Sequence, residues 1–283
     1  MLAAGKWLNL SMLKMRYCDS HCHVADASFD KDRDDVVSRA LEAGVDLLVE
    51  IGCEPARWDN ALRLTADCPE HFYCAFGVHP ENCADAVPEN FEKLARLMTE
   101  KKTVALGEIG LDYAYGTETA AAQQELFSRQ LVMARDCAKP VILHCRSTRP
   151  GENFTDAYDA MLNIMKRDWT PSGSGAFSGI LHCFSGSYQD AVTACDMGLL
   201  LGVNGTVSYP KNSGLRETLA KIGLGRLTLE TDCPYLPPQS CRGKRNEPSK
   251  IPEIACALAG TLGVSCAEVA ESAYMHVREA FLS

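Results

Sequence analysis

Short apolar runs alternate along the chain with longer segments in which apolar positions recur every three or four residues, and the alternation repeats eight times. The runs predict strands at Arg16–Ser20, Leu47–Ile51, Tyr73–Gly77, Val104–Gly107, Val141–His144, Gly179–His182, Leu199–Val203 and Leu227–Glu230. The intervening periodicity predicts helices over Asp32–Ala43, Arg57–Ala66, Phe91–Thr99, Ala121–Cys137, Asp156–Lys166, Tyr188–Met197 and Leu215–Ile222. Eight βα units favour a closed parallel barrel over an open sheet. Glu253–Thr261 and Ala267–Ala280 then read as closing helices. The expected fold is α/β, a (β/α)8 TIM barrel forming one domain over residues 15–283. Residues 1–14 read as an N-terminal extension, disordered or preceding an alternative start at Met12 or Met15.

Two connections depart from the pattern. Thr170–Ser178 is small and flexible, whereas Cys233–Pro252 combines Pro234, Pro237, Pro238 and Pro248 with Arg242, Lys244, Arg245 and Lys250 and is expected over the barrel mouth. Its basic residues could steer a nucleic acid strand, but anchoring of the closing helix is the favoured reading.

A length of 283 residues suits a barrel of about 250 residues with one extension. The net charge of −9 argues against non-specific coating of DNA, which needs many phosphate-neutralising cations, but leaves room for an enzyme gripping one or two phosphates. The 14 cysteines are scattered through apolar runs without a CxxC, and are expected to be reduced thiols. No stretch approaches the roughly 20 apolar residues of a membrane span, so a cytoplasmic protein with no membrane and no obligate protein partner is expected.

The chemistry lies where the apolar runs end. His21, His23, Glu108, His144, His182 and Asp232 each sit there, and in a parallel barrel all those ends meet at one face. Each has an ordinary alternative: an incidental HxH, a loop carboxylate at Glu108, satisfied core histidines at 144 and 182, a turn-forming aspartate at 232. Separately these are credible; their joint occurrence at strand ends is improbable. Imidazoles and carboxylates suit Zn²⁺ or Mn²⁺, and a hydrated carboxylate-rich site can hold Mg²⁺. Two ions about 4 Å apart on a shared carboxylate activate water and stabilise a leaving oxygen. Glu108 is the natural bridge, its strand being central among the ligand strands, and Asp232 is a ligand, the catalytic base, or both.

The segments Asp19-Ser20-His21-Cys22-His23, Gly77-Val78-His79-Pro80, Gly107-Glu108-Ile109-Gly110-Leu111-Asp112-Tyr113, His144-Cys145-Arg146, His182-Cys183-Phe184-Ser185-Gly186, Glu230-Thr231-Asp232-Cys233-Pro234-Tyr235-Leu236 and Arg245-Asn246-Glu247-Pro248 occur in one order. From about Tyr17 onward this series resembles the TatD family of metal-dependent deoxyribonucleases. The resemblance implies an amidohydrolase-type TIM barrel, two divalent ions, and DNase activity as a 3′ to 5′ exonuclease or repair-type enzyme on single strands or ends. It further implies that His21, His23 and Asp232 hold one ion and His144 and His182 the other. Glu108 then lies between them, with His79 and Arg146 facing the substrate phosphate. A guanidinium fork matches phosphate oxygens, which suits Arg146 to that role. Some members lack the first HxH; this chain keeps it, which favours a complete two-metal site. Tyr113-Ala114-Tyr115-Gly116 and Ser172-Gly173-Ser174-Gly175 are local variations. Two other readings stand beside this one: a small-molecule metallohydrolase cleaving a lactone, amide or phosphate ester, and a metal-stabilised scaffold.

Overall fold

Strands covered by helices are buried on both faces, so their sequences run apolar rather than alternating. In the computed structural model, which describes residues 15–114, 116–149, 154–169 and 177–282, such runs form one eight-stranded sheet. Its strands are β1 (Tyr17–Cys22), β2 (Val45–Gly52), β3 (Phe72–Phe76), β4 (Thr103–Asp112), β5 (Val141–Arg146), β6 (Gly179–Leu181), β7 (Leu199–Val203) and β8 (Leu227–Leu229). All neighbouring pairs are parallel and follow chain order. Closure falls just beyond β8: Asp232 N–H donates to the His21 carbonyl and His23 N–H to the Cys233 carbonyl, both at 2.9 Å. Beneath them the buried Asp19 carboxylate accepts from Thr231 N–H at 2.9 Å and from its hydroxyl at 2.5 Å. The seam that closes the barrel is therefore the ladder that carries His21, His23 and Asp232.

The helices are α1 (Arg33–Glu42), α2 (Trp58–Asp67), α3 (Pro88–Leu97), α4 (Ala120–Asp136), α5 (Ala157–Asp168), α6 (Tyr188–Asp196), α7 (Ser213–Ile222), α8 (Ile251–Leu262) and α9 (Cys266–Phe281). Ser187 with Asp190 and Ser265 with Glu268 form capping boxes that start α6 and α9. The third helix starts three residues earlier than its periodicity predicts, because Pro88 occupies a first-turn position that needs no N–H donor. α9 packs over the β8–β1 seam.

Two expectations change. The basic part of the Cys233–Pro252 connection turns away from the mouth: Arg245 holds Asp32 at 2.6 and 2.8 Å, and Glu247 accepts from Arg39 of α1 at 2.7 Å. Of this connection only its start, Tyr235 and Leu236, lines the mouth. Cys256 and Cys266, facing each other across the α8–α9 corner with Cα atoms 4.9 Å apart, form a disulfide, which corrects the expectation that every thiol is reduced. The other twelve cysteines are free. The expected extension at 1–14, Tyr115, and residues 170–176 of the flexible connection lie outside the described residues. Among those described, no single helix is long and apolar enough to cross a membrane.

Candidate metal centre

All six predicted donors come together at the C-terminal mouth of the barrel. His21 and His23 are two positions apart on an extended chain and point to one side, with their Nε2 atoms 3.3 Å apart. Asp232 Oδ1 lies 3.5 Å from His23 Nε2 and 3.6 Å from His21 Nε2. Glu108 does not follow its strand, as expected, but lies inside β4 at a bulge: Gly107 pairs with Ile142 and Ile109 with Leu143, leaving Glu108 without a partner. A bulge re-aims a side chain, and this one points Glu108 to the barrel axis end where its two oxygens divide. Oε2 lies 3.5 Å from His21 Nε2, while Oε1 lies 2.8 Å from His144 Nδ1 and 3.0 Å from His182 Nε2. The His21 and His182 rings stack with centroids 3.7 Å apart.

Burial works against charge on every one of these groups, and the neighbours decide the outcome. It pushes Glu108 up, but His182, His21 and His144 together hold its carboxyl well below the usual range. Asp232 is likewise lowered against burial by the hydrogen bond to His23 and by His182 and His21. Burial pulls down His23 and His144, yet each is raised to about 9, His23 by Asp232 and His144 by Asp112 and Glu108. His182 is raised well above its usual value, against burial, by Glu108 and Glu230; His21 is lowered by burial and by His182.

These residues fit a divalent cation. His23 Nδ1 lies 3.2 Å from the Ile51 carbonyl, which can only accept, so Nδ1 carries a proton and Nε2, facing His21 and Asp232, is the nitrogen that a cation would take once its own proton leaves. Three overlapping groups have donor atoms within 4.8 Å of one another: His21, His23 and Glu108; His21, His182 and Glu230; and His79, Glu108 and His144. The set is mixed nitrogen and oxygen, which suits Zn²⁺ and Mn²⁺ better than Mg²⁺. A cation must displace the protons that the neighbouring carboxylates hold on His23 and His144 up to about pH 9, so affinity should climb about tenfold per pH unit per displaced proton until that pH is passed. Calorimetric titration of stripped protein with Zn²⁺ at neutral pH, in buffers of different ionisation enthalpy, should show proton release. Affinity independent of pH from 6 to about 9 would contradict this assignment.

Several polar partners were not singled out from sequence. Asp112, the last residue of β4, places Oδ2 2.8 Å from His144 Nε2 and accepts from Ala114 N–H at 2.8 Å through Oδ1. Glu230 is fully buried, accepts from Cys183 N–H at 2.6 Å, and lies 3.4 Å from His182 Nδ1. Glu50, raised to about 7 by burial, accepts from Val24 and Ala25 N–H and fixes the turn after His23. The legible signal was a carboxylate within an apolar run, where an unpaired charge is too costly to be incidental. Asp112→Ala should weaken metal binding roughly 10- to 100-fold while leaving the fold intact, as measured by competition with a chelating dye; unchanged affinity would assign Asp112 a packing role.

His79 caps the short 3-10 helix Pro80–Asp85, its Nδ1 accepting from Glu81 N–H at 3.2 Å, and its Nε2 lies 3.8 Å from Glu108 Oε1. Burial and the neighbouring His144 push it down to about 4, so the ring is neutral and Nε2–H is its donor. Arg146 ends β5 with its side chain 49% exposed, 4.0 Å from Asp112. Both line a mouth cavity of about 810 Å³, together with His23, Glu108, His144, His182 and Asp232.

A closed parallel barrel that gathers imidazole and carboxylate donors at its open mouth is the architecture of a metal-dependent hydrolase, and the comparisons with known proteins agree. The family described as "TatD related DNase" matches residues 18–282, and the chain belongs to it. It is 31% identical over 252 residues to the uncharacterized metal-dependent hydrolase YabD of Bacillus subtilis, covering 89% of this chain and 93% of that one. It is 35% identical over 250 residues to a protein of Klebsiella pneumoniae named "3'-5' ssDNA/RNA exonuclease TatD", covering 87% and 90% respectively. The crystal structure of YJJV, a TatD homolog from Escherichia coli, superposes with a TM-score of 0.85 at 29% identity, covering 96% of this chain and 100% of that one.

Proposed function

We propose that this chain is a cytoplasmic two-metal exonuclease that shortens single-stranded DNA from its 3′ end. The observation that carries the two-metal reading is the division of Glu108: one oxygen faces His21 at 3.5 Å, the other faces His144 and His182 at 2.8 and 3.0 Å. His21, His23 and Asp232 would hold one ion and His144 and His182 the other, with Glu108 available to both. Bound there, such ions supply an acidified water and stabilise charge on phosphate oxygens.

The chain's own residues do the rest. Asp232, kept ionised by His23, His182 and His21, accepts the proton of the attacking water. Neutral His79 donates from Nε2 to a non-bridging phosphate oxygen, and Arg146 offers its guanidinium to the same group. A cavity of about 810 Å³ is the size of a small-ligand pocket, which suits the end of a strand rather than a long duplex. The relatives named as single-strand exonucleases support the same substrate class.

The test is nucleotide release from a 5′-labelled single-stranded oligonucleotide by stripped protein given Mg²⁺, Mn²⁺ or Zn²⁺. A metal-dependent ladder shortening from the 3′ end is expected. No release with any ion from folded protein, alongside turnover of a lactone or simple phosphate ester, would replace the nuclease reading with that of a small-molecule hydrolase.

A further inference from the structure

We infer that Tyr235 is a stacking platform for an unpaired nucleobase beside the His23 edge of the metal centre, an inference that rests on the nuclease reading. Its ring lines the mouth yet is 58% exposed, and its centroid lies 6.2 Å from that of His23 with the planes at 74°. Among the described residues, nothing hydrogen-bonds its hydroxyl. The backbone beneath it is nonetheless fixed: Tyr235 N–H donates to the Asp232 carbonyl at 2.9 Å, and its own carbonyl accepts from Asn246 Nδ2 at 2.8 Å. Asn246 is fully buried and also donates to the Thr231 carbonyl at 2.9 Å, so the platform is tied to the closing seam of the barrel.

A large ring carried on a fixed backbone but left uncovered is a contact surface rather than core. Every base has a π-face, so stacking on tyrosine tolerates any sequence, whereas a base within a duplex already has both faces occupied. The platform therefore selects an unpaired end. Lys211, on the connection between β7 and α7, also lines the mouth, is exposed, and has no carboxylate partner among the described residues. It supplies the positive charge that a strand leaving the platform requires.

Kinetics on 5′-labelled oligonucleotides ending either in a normal nucleotide or in an abasic residue, with wild type, Tyr235→Phe and Tyr235→Ala, test this. Wild type and Tyr235→Phe should favour the normal end about tenfold in kcat/KM, chiefly through KM. Tyr235→Ala should lose about that factor on the normal end and no longer distinguish the two. Fluorescence of a 3′-terminal 2-aminopurine on the slow Asp232→Asn protein should be quenched with Tyr or Phe at 235 and not with Ala. If Tyr235→Ala keeps the wild-type preference, or slows both substrates equally, the platform is overturned and the nuclease reading stands. A wild type that shortens no oligonucleotide overturns both.

Discussion

On the two-metal proposal, replacing Glu108 with alanine is expected to lower kcat/KM on a single-stranded oligonucleotide by roughly 10³-fold or more, and to reduce the bound metal from two equivalents to one or fewer. Among the described residues Glu108 divides its two oxygens between His21 on one side and His144 and His182 on the other, whereas Asp232 pairs with His21 and His23, Asp112 with His144, and Glu230 lies behind His182 and His21. The fold should survive. Without Glu108, His144 keeps Asp112 at 2.8 Å and His182 keeps Glu230 at 3.4 Å, so neither ring is left as an uncompensated buried charge. The β4 bulge is held by backbone pairing on either side of Glu108, and by Gly110, whose φ of 143° and close approach to the His144 carbonyl leave no room for a Cβ. Metal analysis after dialysis, with circular dichroism as the fold control, checks both parts. Retention of two tightly bound ions, or full activity, would remove Glu108 from the bridging role.

Glu108 also marks where the sequence was hardest to read. Leu47–Ile51, Leu199–Val203 and Leu227–Glu230 were legible because strands sheathed by helices are continuous apolar runs bounded by turn residues. Gly107-Glu108-Ile109-Gly110 looks like a turn by the same rules, so β4 was expected to end before Glu108. The strand continues because one unpaired residue lets Ile109 resume the ladder opposite Leu143. The metal donors were legible because histidines and acids at strand ends must share the mouth once the barrel closes. Asp112 and Glu230 act through His144 and His182, and pairings between distant strands depend on a register that periodicity does not carry. The Arg245–Asp32 and Arg39–Glu247 pairs were missed for the same reason; they tie that stretch to the start and body of α1. The cysteine pair was missed because proximity across a helix corner leaves no spacing signature of its own.

Asp232→Asn should separate the chemistry from the scaffold. Asp232 adopts φ 57°, a left-handed conformation that asparagine tolerates about as well as aspartate, whereas alanine there would add roughly 1 kcal/mol of strain. The seam bonds from Asp232 N–H to His21 and from Tyr235 N–H to the Asp232 carbonyl use only backbone atoms and should remain. The amide cannot take a proton from water, so kcat should fall about 10²- to 10⁴-fold while KM stays near its wild-type value. The pH profile sharpens the test. The pKa of Asp232 is depressed, so in wild type the base stays ionised as pH falls through neutrality and is lost only below the usual carboxylate range. The acid limb of wild-type kcat/KM should instead follow the histidines, as His23 and His144 take up protons and release metal. In Asp232→Asn, added hydroxide substitutes for the missing base, so log kcat should rise with pH beyond the wild-type plateau. A loss smaller than about tenfold, with the wild-type profile retained, would show that Asp232 only holds metal and that the proton leaves by another route.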